Sequence, residues 1–417
     1  MSTVYPTGTT IYKPDECYKS YILLPSDKLD VNSNIAAERL QAIESEEVLL
    51  IDMNGNVVHK WKVSKRMNAR DRLLPNGNLL HIEQKWGAAF HKTIRTNSPG
   101  KIIEYDWDGK VVWEWMAPGN PHHDVRRLPN GNTLVLVFEE VPPEILKKAE
   151  VKNLDIPYFG KLIRENIQVA GSAIYEVNSK GEIVWEYHEY TDLDLNRFSP
   201  VDSLSDWSHT NTCSIIPENK WYDAGDNRFK PGNIIISPRN QDQLYVIDKE
   251  TKKAVWSWTG HFRGHLPNHA HEPEMIEKGL PGEGNIIYFD NGLFPRDEAR
   301  TGKSMVIEIN PITKAIVWKY QSDLKFFSAT RGSQKKLPNG NVFISEDNMG
   351  RAFQVKPVKD HPEGGVIVWE YVHTTDISRA APYPYDYCPQ LKALPRPKEI
   401  PVSAPNNRDF HVAPAKQ

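Results

Sequence analysis

The chain has 417 residues, with 51 Lys and Arg against 54 Asp and Glu and a formal charge of −3. This balance excludes a global basic footprint for nucleic acid, and no apolar run approaches the roughly eighteen residues a membrane span needs. The N-terminus lacks a charged region followed by an apolar one, so a cytoplasmic location is expected, or a periplasmic one for a mature form whose leader has been removed. Cys17, Cys213 and Cys388 are widely separated and without metal spacing, and read as buried structural thiols.

In chain order, the opening TGTTIYKPDECYKSYILL is strand-like and is expected to supply a closing strand. NGNVVHKW, ending at Trp61, is then the first of six copies of one phrase: a turn containing Gly or Lys, two or three β-branched or apolar residues, and an aromatic pair. The others are DGKVVWEW to Trp115, KGEIVWEY to Tyr187, TKKAVWSW to Trp258, TKAIVWKY to Tyr320 and GGVIVWEY to Tyr371. The final aromatics lie 54, 72, 71, 62 and 51 residues apart, the size of one four-stranded propeller blade with some loops enlarged. Eight of the twelve tryptophans fall inside these phrases, as expected if they fill the space between adjacent blades.

A second phrase fixes the register. LPNGN occurs at 74–78, 128–132 and 337–341, with looser versions at 231–233 and 280–285, each before an apolar run such as LLHI or TLVLV. Asn-Gly between two strand-like runs predicts a hairpin with a type I′ turn. Each unit therefore reads as four strands, and the chain as one all-β, six-bladed propeller spanning residues 1–417 with a short helical insertion. The insertion is residues 140–170, EVPPEILKKAEVKNLDIPYFGKLIRENIQVA, within the second blade. The segment 372–417, with eight prolines beyond Tyr371, reads as an extended stretch wrapping the surface.

Propellers carry chemistry on the innermost strands around the axis. Just upstream of the Asn-Gly turns, or at the matching place, stand PHHDVRRLPNGN (His122, His123, Asp124), DWSHTNTC (Asp206, Trp207, His209, Asn211), NHAHEPEM (His269, His271, Glu272) and SATRGSQKKLPNGN (Thr330, Arg331, Ser333, Gln334). The rotational repeat should bring these side chains together. Seven residues after the turn Gly stands Arg239, and the same count gives Gln84, Phe138, Asn291 and Asp347 in other units. A guanidinium fork suits a tetrahedral oxyanion such as sulfate or phosphate. His123, His209 and His271 are the candidate site histidines. His122 and His269, one neighbour removed, are open between a site role and the opposite face, to which strand alternation points adjacent residues. Arg331 is open between a site role and an inter-blade ion pair. His59, His81, His361, His373 and His411 read as surface or satisfied core residues, and His261 and His265 as loop residues.

Taken together, GTTIYKPDECYKSYILL, EEVLLIDMNGNVVHKW, HHDVRRLPNGN, DWSHTNT, IIISPRNQDQLYVID, a histidine segment leading into NIIYFDNG, and RGSQKKLPNGN resemble the bacterial arylsulfotransferases over nearly the whole chain. The resemblance implies a six-bladed propeller that moves a sulfuryl group from one phenolic ester to another phenol without a nucleotide sulfate donor. It implies that His271 is the sulfated histidine, with His209, Arg239 and His123 as its partners; His269 stays open beside His271 as the nucleophile. His122, His269, Asn211 and Arg331 are expected to contact substrate.

Those residues permit a covalent route. A neutral imidazole of His271 attacks the sulfur of an aryl sulfate, Arg239 and His123 stabilise the equatorial oxygens, and His209 protonates the departing phenolate, its ring oriented by Asp206 or Asn211. No Gly-rich phosphate loop is present, and no cofactor or metal is expected. Two other classes compete. Imidazoles around the axis suit a metal-dependent lyase, hydratase, isomerase or oxygenase, against which a cation at Arg239 argues. A non-catalytic binding propeller would leave the repeated inner histidines without a reason.

Overall fold

In the computed structural model, which describes residues 7–26, 45–64, 70–84, 99–146, 169–197, 206–259, 267–292, 302–322 and 326–403, the LPNGN segments set the architecture. The Gly77 N–H donates to the Leu74 carbonyl at 2.8 Å, and the Leu74 N–H to the Asn78 carbonyl at 2.8 Å. Asn76 Oδ1 accepts from the Asn78 N–H at 3.0 Å. Only the glycine is left-handed, with φ of 86°, 86° and 88° at Gly77, Gly131 and Gly340. This corrects the expected type I′ turn: the proline fixes φ near −65°, so the turn is type I followed by a left-handed glycine.

Six sheets result. From the axis outward, blade I is Ala381–Pro384, Ser20–Ser26, Ser45–Ile51 and Val57–Ser64. Blade II is Arg72–Leu73, Leu79–Glu83, Lys101–Tyr105 and Val111–Met116. Blade III is Asn120–Arg127, Thr133–Glu140, Ala170–Val177 and Ile183–His188. Blade IV is Thr210–Ile215, Ile234–Pro238, Leu244–Asp248 and Lys253–Trp258. Blade V is His271–Met275, Ile286–Asp290, Met305–Ile309 and Ile316–Tyr320. Blade VI is Ser333–Lys336, Val342–Glu346, Arg351–Pro357 and Gly365–Val372, with Gly8–Tyr12 as a fifth, outermost strand.

Both ends of the chain therefore close the ring. The opening segment covers the outer edge of blade VI, as a closing strand should. The Pro-rich tail does more than wrap the surface: Ala381–Pro384 is the innermost strand of blade I, paired with Ser20–Leu23. A strand with a neighbour on one side only tolerates Pro382 and Pro384, which lack an N–H to donate.

The aromatic phrases tie each blade to the next. The indole N–H of Trp61 donates to Asp106, Trp115 to Gly181, Trp185 to Lys249, Trp256 to Pro311, Trp318 to Gly364 and Trp369 to Met53, in every case to a backbone carbonyl in the following blade. The last of these joins blade VI to blade I. The buried apolar residues likewise form six clusters, one at each junction, so the core lies between blades and not within one.

Helix is confined, among the described residues, to Pro143–Leu146, Lys220–Asp223, Pro389–Ala393 and short 3-10 turns. Of the expected helical insertion, residues 147–168 lie outside the described residues. No helix among them is long and apolar enough to cross a membrane.

Candidate active site

The inner strands of blades III, IV and V are each irregular at one place. Strand pairing shifts register between Val135 and Val137, Thr210 and Cys213, and His271 and Glu274. The backbone is left-handed at His123, His209 and Glu272, with φ of 56°, 47° and 48°. A bulge of this kind suspends side-chain alternation and re-aims residues. His122 and His123 therefore meet, Nδ1 to Nδ1 at 2.7 Å, so one ring donates to the other. His122 also stacks on Phe138 at 3.5 Å and lies 6.5 Å from His209, centroid to centroid. Strand alternation, which would point His122 away from His123, does not hold here because residue 123 is not extended.

His123 sits at the middle of the cluster, its ring centroid 4.9 Å from that of His209 and 6.2 Å from that of His271. Arg239 arrives from blade IV, at the start of the turn that ends the strand Ile234–Pro238. Its backbone N–H donates to the His209 carbonyl at 3.2 Å, and its Nη1 donates to Asn240 Oδ1 at 2.7 Å. His123, His209 and His271 thus come together from three blades, with Arg239 bonded to the His209 backbone and its charge acting on His271.

Hydrogen bonds orient two of the imidazoles. Asn291 donates through Nδ2 to the carbonyls of Ser328 and Arg331, at 2.8 and 2.9 Å, which turns its Oδ1 toward His271. His271 Nδ1–H donates to that oxygen at 2.6 Å, leaving the lone pair on Nε2. Asn291 occupies in blade V the place Arg239 occupies in blade IV, so the count from the turn glycine was the signal for it. His209 Nδ1 lies 2.6 Å from Asp206 Oδ2. Asn211 does not orient that ring; its Nδ2 donates to the Ala270 carbonyl at 3.0 Å, linking blades IV and V.

Below the imidazoles lies an ionic cluster that sequence reasoning did not identify. Glu272 pairs with Arg70, with Arg379 at 2.9 Å and with Arg126 at 3.4 Å; Asp124 pairs with Arg72 at 2.5 Å and Arg126 at 2.9 Å. Burial raises the Asp124 and Glu272 carboxyls, but the surrounding guanidiniums outweigh it and hold both below the usual carboxylate range. Burial, the Arg379 charge and, beyond the opposing Asn291 hydrogen bond, the Arg239 charge push His271 well below its ordinary value. Burial and the neighbouring His209 and His122 do the same for His123.

A pH experiment follows from this. The fold keeps His271 neutral, whereas in the unfolded chain it takes up a proton below about pH 6.5. Because the unfolded state then binds more protons, stability falls with falling pH. The stability difference between wild type and His271→Asn, measured by urea unfolding, should shrink as pH drops from about 7 to about 5. A difference constant with pH would mean that His271 titrates normally in the fold.

The remaining expected residues lie around this centre. The ring of His269 faces Asn268 Oδ1 at 3.4 Å and Asp242 Oδ1 at 3.7 Å, and its carbonyl lies 3.1 Å from His271 Nδ1. The Arg331 guanidinium, fully buried, binds Asp376 at 2.7 Å and the Ile377 carbonyl at 3.1 Å, and the Arg331 carbonyl accepts from Asn291. Gln334 donates to the Glu272 and Ile287 carbonyls, and Trp207 packs in the core between blades III and IV. His81 is a buried core residue paired with Asp71 at 2.7 Å, and His59 stacks on Trp107. His261, His265 and His411 lie outside the described residues. Among the described residues, no group of three or more His, Cys, Asp or Glu is arranged to hold a metal ion.

Comparison with known proteins adds the following. Similar solved structures include a protein of unknown function from Bacteroides caccae, 13% identical with a TM-score of 0.48, covering 88% of this chain and 99% of that one. Another is a periplasmic gluconolactonase from Pseudomonas aeruginosa, 11% identical with a TM-score of 0.47, again covering 88% and 99%. A third is a virginiamycin B lyase from Staphylococcus aureus, 9% identical with a TM-score of 0.36, covering 91% and 89%. No curated protein matches the chain. The arylsulfotransferase (ASST) family model, by contrast, matches residues 25–377, so the chain belongs to the arylsulfotransferases, a family of transferases.

Proposed function

We propose that this arylsulfotransferase moves a sulfuryl group from an aryl sulfate ester to a phenol through a sulfohistidine at His271, with no nucleotide sulfate donor. The observation that carries the reading is the Asn291 contact, which holds the His271 proton on Nδ1 and leaves the lone pair on Nε2. Nε2 attacks sulfur and the bond from sulfur to the aryl oxygen breaks. The departing phenolate takes a proton from His209, whose imidazolium is stabilised by Asp206. In the second half, His209 takes the proton of the incoming phenol, the phenol oxygen attacks sulfur, and the bond from Nε2 to sulfur breaks. Charge on the equatorial oxygens is met by Arg239 and by His123, which presents Nε2–H when His122 donates between the two Nδ1 atoms. His122, His269, Asn211 and Arg331 shape and support the site around the transferring group.

The test is transfer from an aryl sulfate donor to 2-naphthol, followed as naphthyl sulfate formed. An acid is needed most when the leaving phenolate is basic. His209→Ala should therefore lose about tenfold or less with 4-nitrophenyl sulfate and about a hundredfold or more with unsubstituted phenyl sulfate as donor. Equal losses with both donors would remove His209 from the proton-transfer role, and no transfer by the wild type would overturn the reading itself.

A further inference from the structure

Arg379 lies in the segment joining the last strand of blade VI to the inner strand of blade I, and its side chain is fully buried. Its backbone is left-handed, with φ of 53°, and its N–H donates to Asp347 Oδ2 at 2.8 Å. Nη1 donates to the His123 carbonyl at 2.6 Å and to Glu272 Oε1 at 2.9 Å. Nε and Nη2 are buried and have no hydrogen-bond partner among the described residues.

A guanidinium has five N–H donors, and the two on Nη1 are occupied. Three remain, on Nε and Nη2. A buried donor left without a partner is costly, the more so when charged, so such a group is stable only if something else completes it. Glu272 does not, because its other oxygen is held by Arg70 and Arg126. Nε–H and the nearer Nη2–H form the side-on fork that matches two oxygens of one tetrahedral anion. The position fits as well: Nη1 is anchored to the His123 carbonyl, and Arg379 is the leading charge acting on His271.

We infer that Arg379 is a second arginine of the anion site, donating from Nε and Nη2 to two oxygens of the sulfuryl group that Arg239 binds from the other blade. This rests on the arylsulfate reading for the identity of the anion, but the anion contact can be measured without turnover.

The probe is inorganic sulfate, titrated by calorimetry into wild type, Arg379→Lys and Arg239→Lys. Lysine keeps the charge opposite Glu272 and removes the fork. Arg379→Lys should raise the sulfate Kd about tenfold or more, with Tm little changed, and lower kcat/KM for 4-nitrophenyl sulfate about a hundredfold. Wild-type Kd and kcat/KM in a folded Arg379→Lys protein would overturn the inference and leave the transfer mechanism standing. Arg379-dependent sulfate binding in a wild type that transfers nothing would do the reverse. If Arg379→Lys does not fold, a crystal of the wild type soaked in sulfate decides: oxygens within hydrogen-bond distance of both Nε and Nη2 support the assignment, and a sulfate held elsewhere or without Arg379 refutes it.

Discussion

His271→Ala is expected to reduce transfer from 4-nitrophenyl sulfate to phenol to about one part in ten thousand of wild type or less, with the propeller intact. The magnitude follows from the role. An acid or an oxyanion donor shares its work with neighbours, but a nucleophile that carries the group covalently has no substitute. Asn291, Asn211 and Arg239 hold the site together through bonds to backbone or to one another's segments, so removing one imidazole should leave the fold standing. Circular dichroism of the variant should match wild type. Retained transfer would shift the nucleophile to His269, whose ring is turned toward Asp242, or eliminate the covalent route.

The second large effect concerns the fold. Deleting residues 373–417 should give a protein that does not fold cooperatively, read as loss of the urea transition and recovery in the insoluble fraction. The deletion removes the inner strand of blade I and exposes the strand Ser20–Ser26 to the channel. It also removes Ile377 and Leu391, both nearly fully buried, each worth about 1.5–3 kcal/mol. Loss of Arg379 also leaves Glu272 with one buried guanidinium fewer. The two apolar side chains alone come to about 3–6 kcal/mol, near the lower end of a typical domain stability of about 5–15 kcal/mol, before the lost strand pairing is counted. A soluble, cooperatively unfolding truncation would show that the ring closes through Gly8–Tyr12 alone.

Much of this architecture is legible in the chain. The six aromatic phrases carry the indoles that bond each blade to the next, and the LPNGN turns place the inner strands, so blade count and ring order follow from spacing. The turn type did not follow from Asn-Gly alone, because Pro75, Pro129 and Pro338 forbid positive φ at the first central position. The inner strand of blade I was hidden for a related reason: Pro382 and Pro384 look like strand breakers unless one knows that their N–H side faces no neighbour. Arg379 stands two residues before that strand and was hidden with it. The histidine segments and Arg239 were visible as recurrences at one blade position. That His122 joins His123 was not, since alternation is a rule for extended backbone and residue 123 is left-handed.

The covalent route through His271 is tested most directly by mass spectrometry of the protein mixed with 4-nitrophenyl sulfate and no phenol acceptor, quenched at alkaline pH and digested. Transfer through a sulfohistidine requires one sulfuryl group per chain on the peptide carrying His271, formed with a burst of 4-nitrophenolate and discharged when phenol is added. A burst with the label on another residue, or steady transfer with no labelled peptide at any time, would contradict it.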